Sequence, residues 1–199
     1  MAKFAISHKH RELKMNQERK AGEPSALIWL WLSIFVIAFD LITKQLAENF
    51  LSYGQPVPIL PVFDLTLLYN PGAAFSFLAG ENGWQRWFFT AIALVVSTVL
   101  IGWLYKLPRE NKWLAVALTL ILGGAIGNLF DRLVYGHVID FISVHWQGSY
   151  FPAFNIADSA ITIGAIMLAL DVVFEARREK AAAKAEAELY SKDQEKGKE

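Results

Sequence analysis

Two aspartates that flank one connection of this 199-residue chain have the type and placement to do chemistry. Asp140 lies soon after the third apolar segment, and Asp158 lies at the start of the fourth. When two carboxylates share a proton, the ionised one can take a proton from water while the protonated one donates to a carbonyl or leaving group. Cysteine is absent, which excludes a cysteine nucleophile and a zinc–thiolate site. The pair predicts peptide hydrolysis of the aspartic type, with no metal and no other cofactor.

Further polar residues fall at the same predicted depth in the membrane. On a helix that enters near residue 26, Asp40 lies about 21 Å in and Lys44 about 27 Å in, at 1.5 Å per residue. Ionisable side chains inside a membrane are costly, so a functional role is their default hypothesis. The others lie in the outer loops or at the outer ends of predicted helices: Asn70, Asn128, Asp131, Arg132 and Asn155. Together they predict one site on one membrane face.

Four apolar segments must position these residues. The chain is 54% hydrophobic with a mean hydropathy of +0.31, and each segment approaches the roughly 20 residues that span a bilayer. We predict transmembrane helices at about 26–50, 84–105, 113–135 and 155–175, because backbone in lipid must satisfy its own hydrogen bonds. The loops 51–83 and 136–153 mix β-branched and aromatic residues with Pro and Gly, which indicates short strands and turns.

Lysine and arginine predict the orientation. Residues 1–24 hold six of them, further clusters occupy 106–112 and the start of the tail, and the loops 51–83 and 136–153 hold none. The positive-inside rule therefore puts both termini in the cytoplasm. We divide the chain into a charged cytoplasmic leader (1–25), a four-helix membrane domain (26–176) and a charged cytoplasmic tail (177–199), the tail being a solvated helix or a disordered end. The zero net charge gives no indication of nucleic acid as a partner.

Each polar residue also has a plainer interpretation. Asp40 and Lys44 have the spacing of a helix salt bridge, and Asn155 could cap its helix with Asp158 in the first turn. Ordinary interfacial placement would explain Asn128, Asp131 and Arg132. Close helix packing is the simpler role for Gly123, Gly124 and Gly127, and His137 and His145 lack a metal-ligand spacing.

Three other functions compete with the aspartic peptidase. A small ion- or proton-coupled transporter would use buried carboxylates, but it predicts polar groups at the midplane and often a repeat, and neither is visible. A serine peptidase could use Ser76 or Ser159 with Lys44 as base, although no nucleophile motif supports it. A scaffold protein would tolerate the replacement of either Asp140 or Asp158.

Five motifs in this order resemble the lipoprotein signal peptidase (signal peptidase II) family. They are "DLITK" (40–44), "NPGAAFS" (70–76), "GGAIGNLFDR" (123–132), "VIDF" (138–141) and "FNIADS" (154–159). The resemblance implies an aspartic endopeptidase of the bacterial inner membrane with its active site at the periplasmic face. Its substrate would be a diacylglyceryl-modified prolipoprotein, cut just before the lipidated cysteine.

The resemblance also implies roles and a fold. Asp140 and Asp158 would be catalytic; Asn70, Asn128, Arg132 and Asn155 would line the site, and Asp40 and Lys44 would support it. The implied fold is an all-α membrane protein of four transmembrane helices with a small β-cradle and loops on the outer face. We expect a monomer whose partners are the substrate and membrane lipids.

Overall fold

The computed structural model describes residues 22–72 and 83–196. A 3-10 turn at Ala26–Trp29 leads into four helices, which are α1 (Leu30–Phe50), α2 (Trp84–Lys106), α3 (Lys112–Val134) and α4 (Ile156–Lys196). All four are long and apolar enough to cross a membrane. The predicted fold class is confirmed. The predicted helix ends agree with the observed ones within one residue, except that α1 begins four residues after its predicted start, behind the 3-10 turn, and that α4 continues past its predicted end.

The fourth helix continues well past its predicted end at residue 175. It runs for 41 residues to Lys196, so the predicted tail takes the helical form of its two predicted alternatives. Ala, Lys, Glu and Arg dominate this part of the chain and favour a helix, and Gly or Pro is absent before Gly197. Hydropathy locates only the part of a helix that lies in lipid, which is why it did not reveal this continuation. Most of the predicted leader, residues 1–21, lies outside the described residues.

Strands of the two long loops form one antiparallel sheet in the order β1-β2-β3-β4. The strands are β1 (Val57–Leu60), β2 (Phe63–Asn70), β3 (Val138–Trp146) and β4 (Ser149–Tyr150). The predicted strands and turns are thus confirmed for these residues, whereas residues 73–82 of the first loop lie outside the described part. β2 pairs with β3 so that Leu68 faces Asp140 and Asn70 faces Val138. This register brings Asn70 to Asp140.

The two ends of the helix bundle differ. At one end the backbone N–H of Ala26 donates to the carbonyl of Leu107 (2.9 Å), and that of Arg109 donates to the carbonyl of Pro24 (3.2 Å). The start of the first helix and the connection between α2 and α3 therefore lie together. The sheet packs at the other end, where Ala47 of α1 joins a small apolar core with the strands.

α3 is the central helix of the bundle and packs against the other three. Its glycines allow this, as the packing interpretation of the sequence predicted. A Cβ on Gly124 would lie 2.3 Å from the carbonyl oxygen of Ala157 in α4, and one on Gly123 would lie 2.8 Å from Cβ of Val36 in α1. α3 thus approaches the backbone of α4 as closely as only glycine permits.

Candidate active site

Asp140 lies in β3 and is 2% exposed. Asn70 Nδ2 donates to its Oδ2 (3.1 Å), and Asn155 Nδ2 donates to its Oδ1 (2.8 Å). Each carboxylate oxygen therefore has a neutral amide donor, one from the neighbouring strand and one from the start of α4. The two hydrogen bonds hold the carboxylate in place, and neither donor carries a charge.

Asp158 lies in the first turn of α4, as the capping interpretation predicted. Its backbone N–H donates to Oδ1 of Asn155 (2.9 Å), so the predicted N-cap is confirmed. Its carboxylate Oδ1 accepts from Asn128 Nδ2 (2.7 Å). Asp158 thus lies at the N-terminal end of α4 and accepts a short hydrogen bond from a neutral amide.

Two asparagine amides connect the two aspartates. Asn155 Nδ2 donates to Asp140 and also to Oδ1 of Asn128 (3.1 Å), whose own Nδ2 donates to Asp158. The path from Asp140 to Asp158 therefore passes through Asn155 and Asn128 in turn. Residues that the sequence predicted separately thus form one hydrogen-bonded group.

The surroundings of Asp140 favour its neutral form. Burial is the largest cause, and together with the negative charge of Asp158 it raises the pKa of Asp140 from 3.8 to about 7. The hydrogen bonds from Asn70 and Asn155 act in the opposite direction, as does the positive charge of Lys44. Near neutral pH one carboxyl group of the two can therefore hold a proton that the other lacks.

Lys44 is the centre of the buried network behind the aspartates. The predicted salt bridge to Asp40 is confirmed at 2.7 Å, and a second salt bridge to Asp131 has the same length. Nζ also donates a hydrogen bond to Oδ1 of Asn128 (3.0 Å). An ammonium can donate but cannot accept, so the oxygen of Asn128 must point towards Lys44. The amide nitrogen of Asn128 is thereby directed to Asp158.

Asp40 positions the start of α4. Its Oδ1 accepts from the backbone N–H of Ala157 (2.8 Å), one of the N–H groups that has no partner within the helix. A Cβ on Gly127 would lie 2.7 Å from Oδ2 of Asp40, so this glycine gives the carboxylate room. The salt-bridge partner of Lys44 is therefore also a capping group for the helix that carries Asp158.

Asp131 was predicted to lie at the outer end of the third helix beside Asn128 and Arg132, but it was not among the predicted site residues. In the structure it is fully buried, and its Oδ2 also accepts from the backbone N–H of Ile139 (3.2 Å), the residue before Asp140. It thus ties β3 to Lys44. Its spacing of three residues from Asn128, on one face of α3, together with a lysine that needs several acceptors, could have indicated it.

Arg132 and the histidines complete the comparison with the predictions. Arg132 Nη1 donates to the carbonyl of Asn128 (3.2 Å), and its guanidinium lies 5.2 Å from the centre of the Phe89 ring. It is close enough to Asp158 and Asp140 to interact with their charges.

His145 Nε2 lies 3.3 Å from Oδ2 of Asp64. Among residues 22–72 and 83–196, no group of three or more His, Asp or Glu side chains could hold a metal ion.

The serine alternative gains little from this geometry. Ser159 Oγ donates to the carbonyl of Asn155 (2.9 Å), within its own helix. Lys44, its proposed base, forms two salt bridges and donates a hydrogen bond to Asn128. Ser76, the other proposed nucleophile, lies outside the described residues.

Comparisons with known proteins agree with the motifs. Residues 32–174 match the family profile described as "Signal peptidase (SPase) II". The chain belongs to this family. It is 62% identical to the lipoprotein signal peptidase of Pseudomonas syringae pv. tomato over 148 residues, which cover 73% of this chain and 86% of that protein. It is 60% identical to that of Pseudomonas putida over 154 residues, which cover 76% of this chain and 90% of the relative.

Solved structures support the same fold. A bacterial membrane enzyme determined by the in meso method superimposes with a TM-score of 0.67 at 30% identity, over 80% of this chain and 93% of that one. As a member of the signal peptidase II family, the chain is a membrane peptidase that removes signal peptides from prolipoproteins. The transporter alternative gains no support from these matches. The matched region ends at residue 174, so the continuation of α4 lies beyond it.

Proposed function

We propose that Asp140 and Asp158 are the catalytic pair of an aspartic endopeptidase. The observation that carries the proposal is the single amide path from one carboxylate through Asn155 and Asn128 to the other. This path joins two carboxyl groups whose surroundings differ. The pKa of one of them, Asp140, is raised to about 7. No metal ion takes part in the proposed reaction.

The proposed reaction returns both aspartates to their starting states. Asp158, ionised, takes a proton from a water molecule as its oxygen attacks the scissile carbonyl carbon, and Asp140, protonated, donates to the carbonyl oxygen. The resulting tetrahedral diol collapses when Asp140 removes a hydroxyl proton and Asp158 gives its proton to the leaving nitrogen. The C–N bond breaks, a carboxyl and an amine are released, and Asp140 again holds the proton.

We propose that the substrate is a diacylglyceryl-modified prolipoprotein, cut just before the lipidated cysteine. Asp140 and Asp158 lie at the end of the bundle that carries the sheet, near the ends of α1 and α3, and so at an expected membrane interface. A lipid-anchored peptide would present its scissile bond at this depth. Asn70 and Arg132 are proposed to contact the peptide backbone, and Asp40 and Lys44 to support the site.

The decisive experiment is cleavage of a diacylglyceryl-modified prolipoprotein peptide by the purified full-length chain. We expect Asp140→Asn and Asp158→Asn to insert into membranes normally and to lose cleavage, because each removes one proton-transfer step. Asp171→Asn, which changes a carboxylate near the opposite end of the span of α4, is the matched control and should cleave like the unsubstituted protein. Retained cleavage in either of the first two variants would exclude the pair, and loss of cleavage on adding EDTA would revive a metal mechanism.

We propose that the chain lies in the bacterial inner membrane with both termini in the cytoplasm and the active site at the periplasmic face. The cluster Lys106, Arg109 and Lys112 supports this, since it lies at the end of the bundle opposite the sheet. Because the chain has no cysteine, single cysteines can report the topology. In intact cells with a permeable outer membrane, an impermeant thiol reagent should label Gln55→Cys and spare Glu110→Cys; the reverse pattern would invert the topology.

We further propose that residues 26–176 form the catalytic domain and act as a monomer, with 1–25 and 177–199 as accessory segments. Every residue assigned to the site comes from this span of one chain. A chain that ends after residue 178 should keep the kcat of the full chain, and activity per molecule should not change on dilution in excess detergent micelles. A fall in either measurement would contradict the corresponding assignment.

A further inference from the structure

A cavity lies between α1 and α3, behind the candidate active site. Its volume is about 200 Å³, and neither Asp140 nor Asp158 lines it. Lys44 and Asp131 form its inner wall, while its outer wall comes from the last turns of both helices and the residue after α3: Gln45, Glu48, Phe130 and Tyr135. The buried Lys44 network therefore separates it from the catalytic aspartates.

The charged groups of this cavity call for a cationic ligand. Lys44 is already engaged by Asp40, Asp131 and Asn128. Asp131 is fully buried, and its Oδ1 has no hydrogen-bond partner among the residues that the structure describes. Glu48 adds a second carboxylate to the lining of the cavity. Two lining carboxylates thus face one lining ammonium that Asp40 also contacts, and a buried carboxylate oxygen without a partner is costly.

Aromatic rings border the same cavity. Phe130 and Tyr135 pack edge to face with centroids 6.4 Å apart, and Tyr135 lies 6.3 Å from the ring of His137, which in turn lies 4.4 Å from Tyr69. The phenol of Tyr69 lies close enough to Glu48 to interact with its charge. Ammonium groups are attracted to aromatic faces as well as to carboxylates.

The position of the cavity indicates where such a cation comes from. Glu48 lies in the last turn of α1, and Tyr135 directly follows α3. Ile42 and Leu46 in the same half of α1 are 57% and 49% exposed, as expected for lipid-facing residues. An opening at the end of two membrane helices lies at headgroup depth. The ligand with the highest concentration there is the headgroup of a phospholipid.

We propose that the cavity between α1 and α3 binds the primary ammonium headgroup of a membrane phospholipid. The ammonium donates to Asp131 Oδ1 and to Glu48, with Tyr135 and Phe130 against its methylene groups. A glycerol headgroup brings no positive charge, and a trimethylated headgroup has no N–H to donate. The site would therefore select an ethanolamine-type headgroup. The proposal does not depend on which membrane face this end of the bundle occupies.

The test measures bound lipid and not catalysis. The full-length chain is reconstituted in nanodiscs that contain equal amounts of an ethanolamine-headgroup and a glycerol-headgroup phospholipid with identical acyl chains. Native mass spectrometry after release from the nanodisc then counts the lipids that stay bound. We expect the ethanolamine lipid to be retained in preference by the unsubstituted protein. Glu48→Gln should reduce this preference about tenfold, since a hydrogen bond to a charged group has about that effect.

Two further variants and one control complete the design. Gln45→Lys places a tethered ammonium at the cavity and should abolish the preference even if Glu48→Gln fails to fold. Glu110→Gln, at the opposite end of the bundle, should leave it unchanged. Equal retention of both lipids by the unsubstituted protein would mean that the cavity holds only water, and an unchanged preference in Glu48→Gln or in Gln45→Lys would overturn the proposal. Binding of free ethanolamine without any lipid preference would overturn the lipid assignment as well.

Discussion

The alkaline limit of activity should report the ionisation of Asp140. In the proposed mechanism this carboxyl group must be protonated to donate to the scissile carbonyl, so raising the pH is the perturbation. Burial and the charge of Asp158 raise the pKa of Asp140 from 3.8 to about 7. We therefore expect the ionisation of Asp140 to have no effect on kcat/KM below about pH 6 and to lower kcat/KM as the pH rises through about 7.

The magnitude follows from the size of the shift. A rise from 3.8 to about 7 is about three pKa units, or about 4 kcal/mol in favour of the protonated form. Above the pKa the protonated fraction falls tenfold for each pH unit, so kcat/KM near pH 9 should be roughly one hundredth of its plateau. An aspartate with the ordinary pKa of 3.8 would be protonated in fewer than about one molecule in a thousand at neutral pH.

The assay is cleavage of a fluorogenic diacylglyceryl-modified prolipoprotein peptide in micelles, with kcat/KM measured from about pH 5 to about pH 9. Asn70→Ala is the diagnostic variant. In the unsubstituted protein, the hydrogen bond from Asn70 stabilises the ionised form of Asp140. Without it the pKa of Asp140 should rise further, and the alkaline limb should move to higher pH by about one unit. A residue with only a structural role would lower the plateau without moving the limb.

Stability should respond to the same ionisation. A carboxyl group with a raised pKa in the folded state binds its proton more tightly when folded. Its contribution to stability is therefore fully present below about pH 4 and lost as the pH rises through about 7. Asp140→Asn should remove this part of the pH dependence from thermal unfolding. A flat kcat/KM up to about pH 9, or a limb at the same pH in Asn70→Ala, would refute the assignment of the proton donor.

Two substitutions test the groups that hold the site. Lys44→Met leaves two buried carboxylates without their cation, so the free energy of unfolding, measured by chemical unfolding in micelles, should fall by about 3–5 kcal/mol and cleavage should be lost. Lys112→Met, at an exposed position, is the control. Equal losses in both variants would contradict a role for the Lys44 salt bridges. Gly124→Ala places a Cβ 2.3 Å from the carbonyl of Ala157 and should cost about 1–3 kcal/mol together with much of kcat. Gly102→Ala, where a Cβ meets nothing within 4 Å, should be neutral or slightly stabilising, and the packing argument fails if both glycine variants behave alike.

The membrane helices and the location of the site could be predicted because both depend on simple one-dimensional patterns. A run of apolar residues must be helical in lipid, and the direction of each helix then fixes the depth of every polar residue on it. Asp40 and Asp158 are distant in sequence, yet alternating helix directions bring them to the same end of the bundle. Their actual connection through the N–H of Ala157 was not predictable, because it depends on the rotation of α1 and α4 about their axes.

The predicted end of α4 failed for a related reason. Hydropathy separates lipid from water, and the basic pair Arg177 and Arg178 marks that boundary. A helix can cross it without any change in backbone, since Ala, Glu and Lys favour the helix in water as Leu and Val do in lipid. A composition boundary therefore does not imply a structural boundary.

The orientation of the site amides also escapes a reading of the sequence, because it is set by the chemistry of a distant residue. Lysine can donate but cannot accept, so Lys44 requires the oxygen of Asn128 and leaves its nitrogen for Asp158. The backbone N–H of Asp158 requires the oxygen of Asn155 in the same way, which leaves that nitrogen for Asp140. A charged residue in α1 thus helps to fix which hydrogen bonds the two carboxylates receive. The pair Asp40 and Lys44 accordingly forms a helix salt bridge that also contacts Asn128 and the start of α4, so the two interpretations of these residues do not exclude each other.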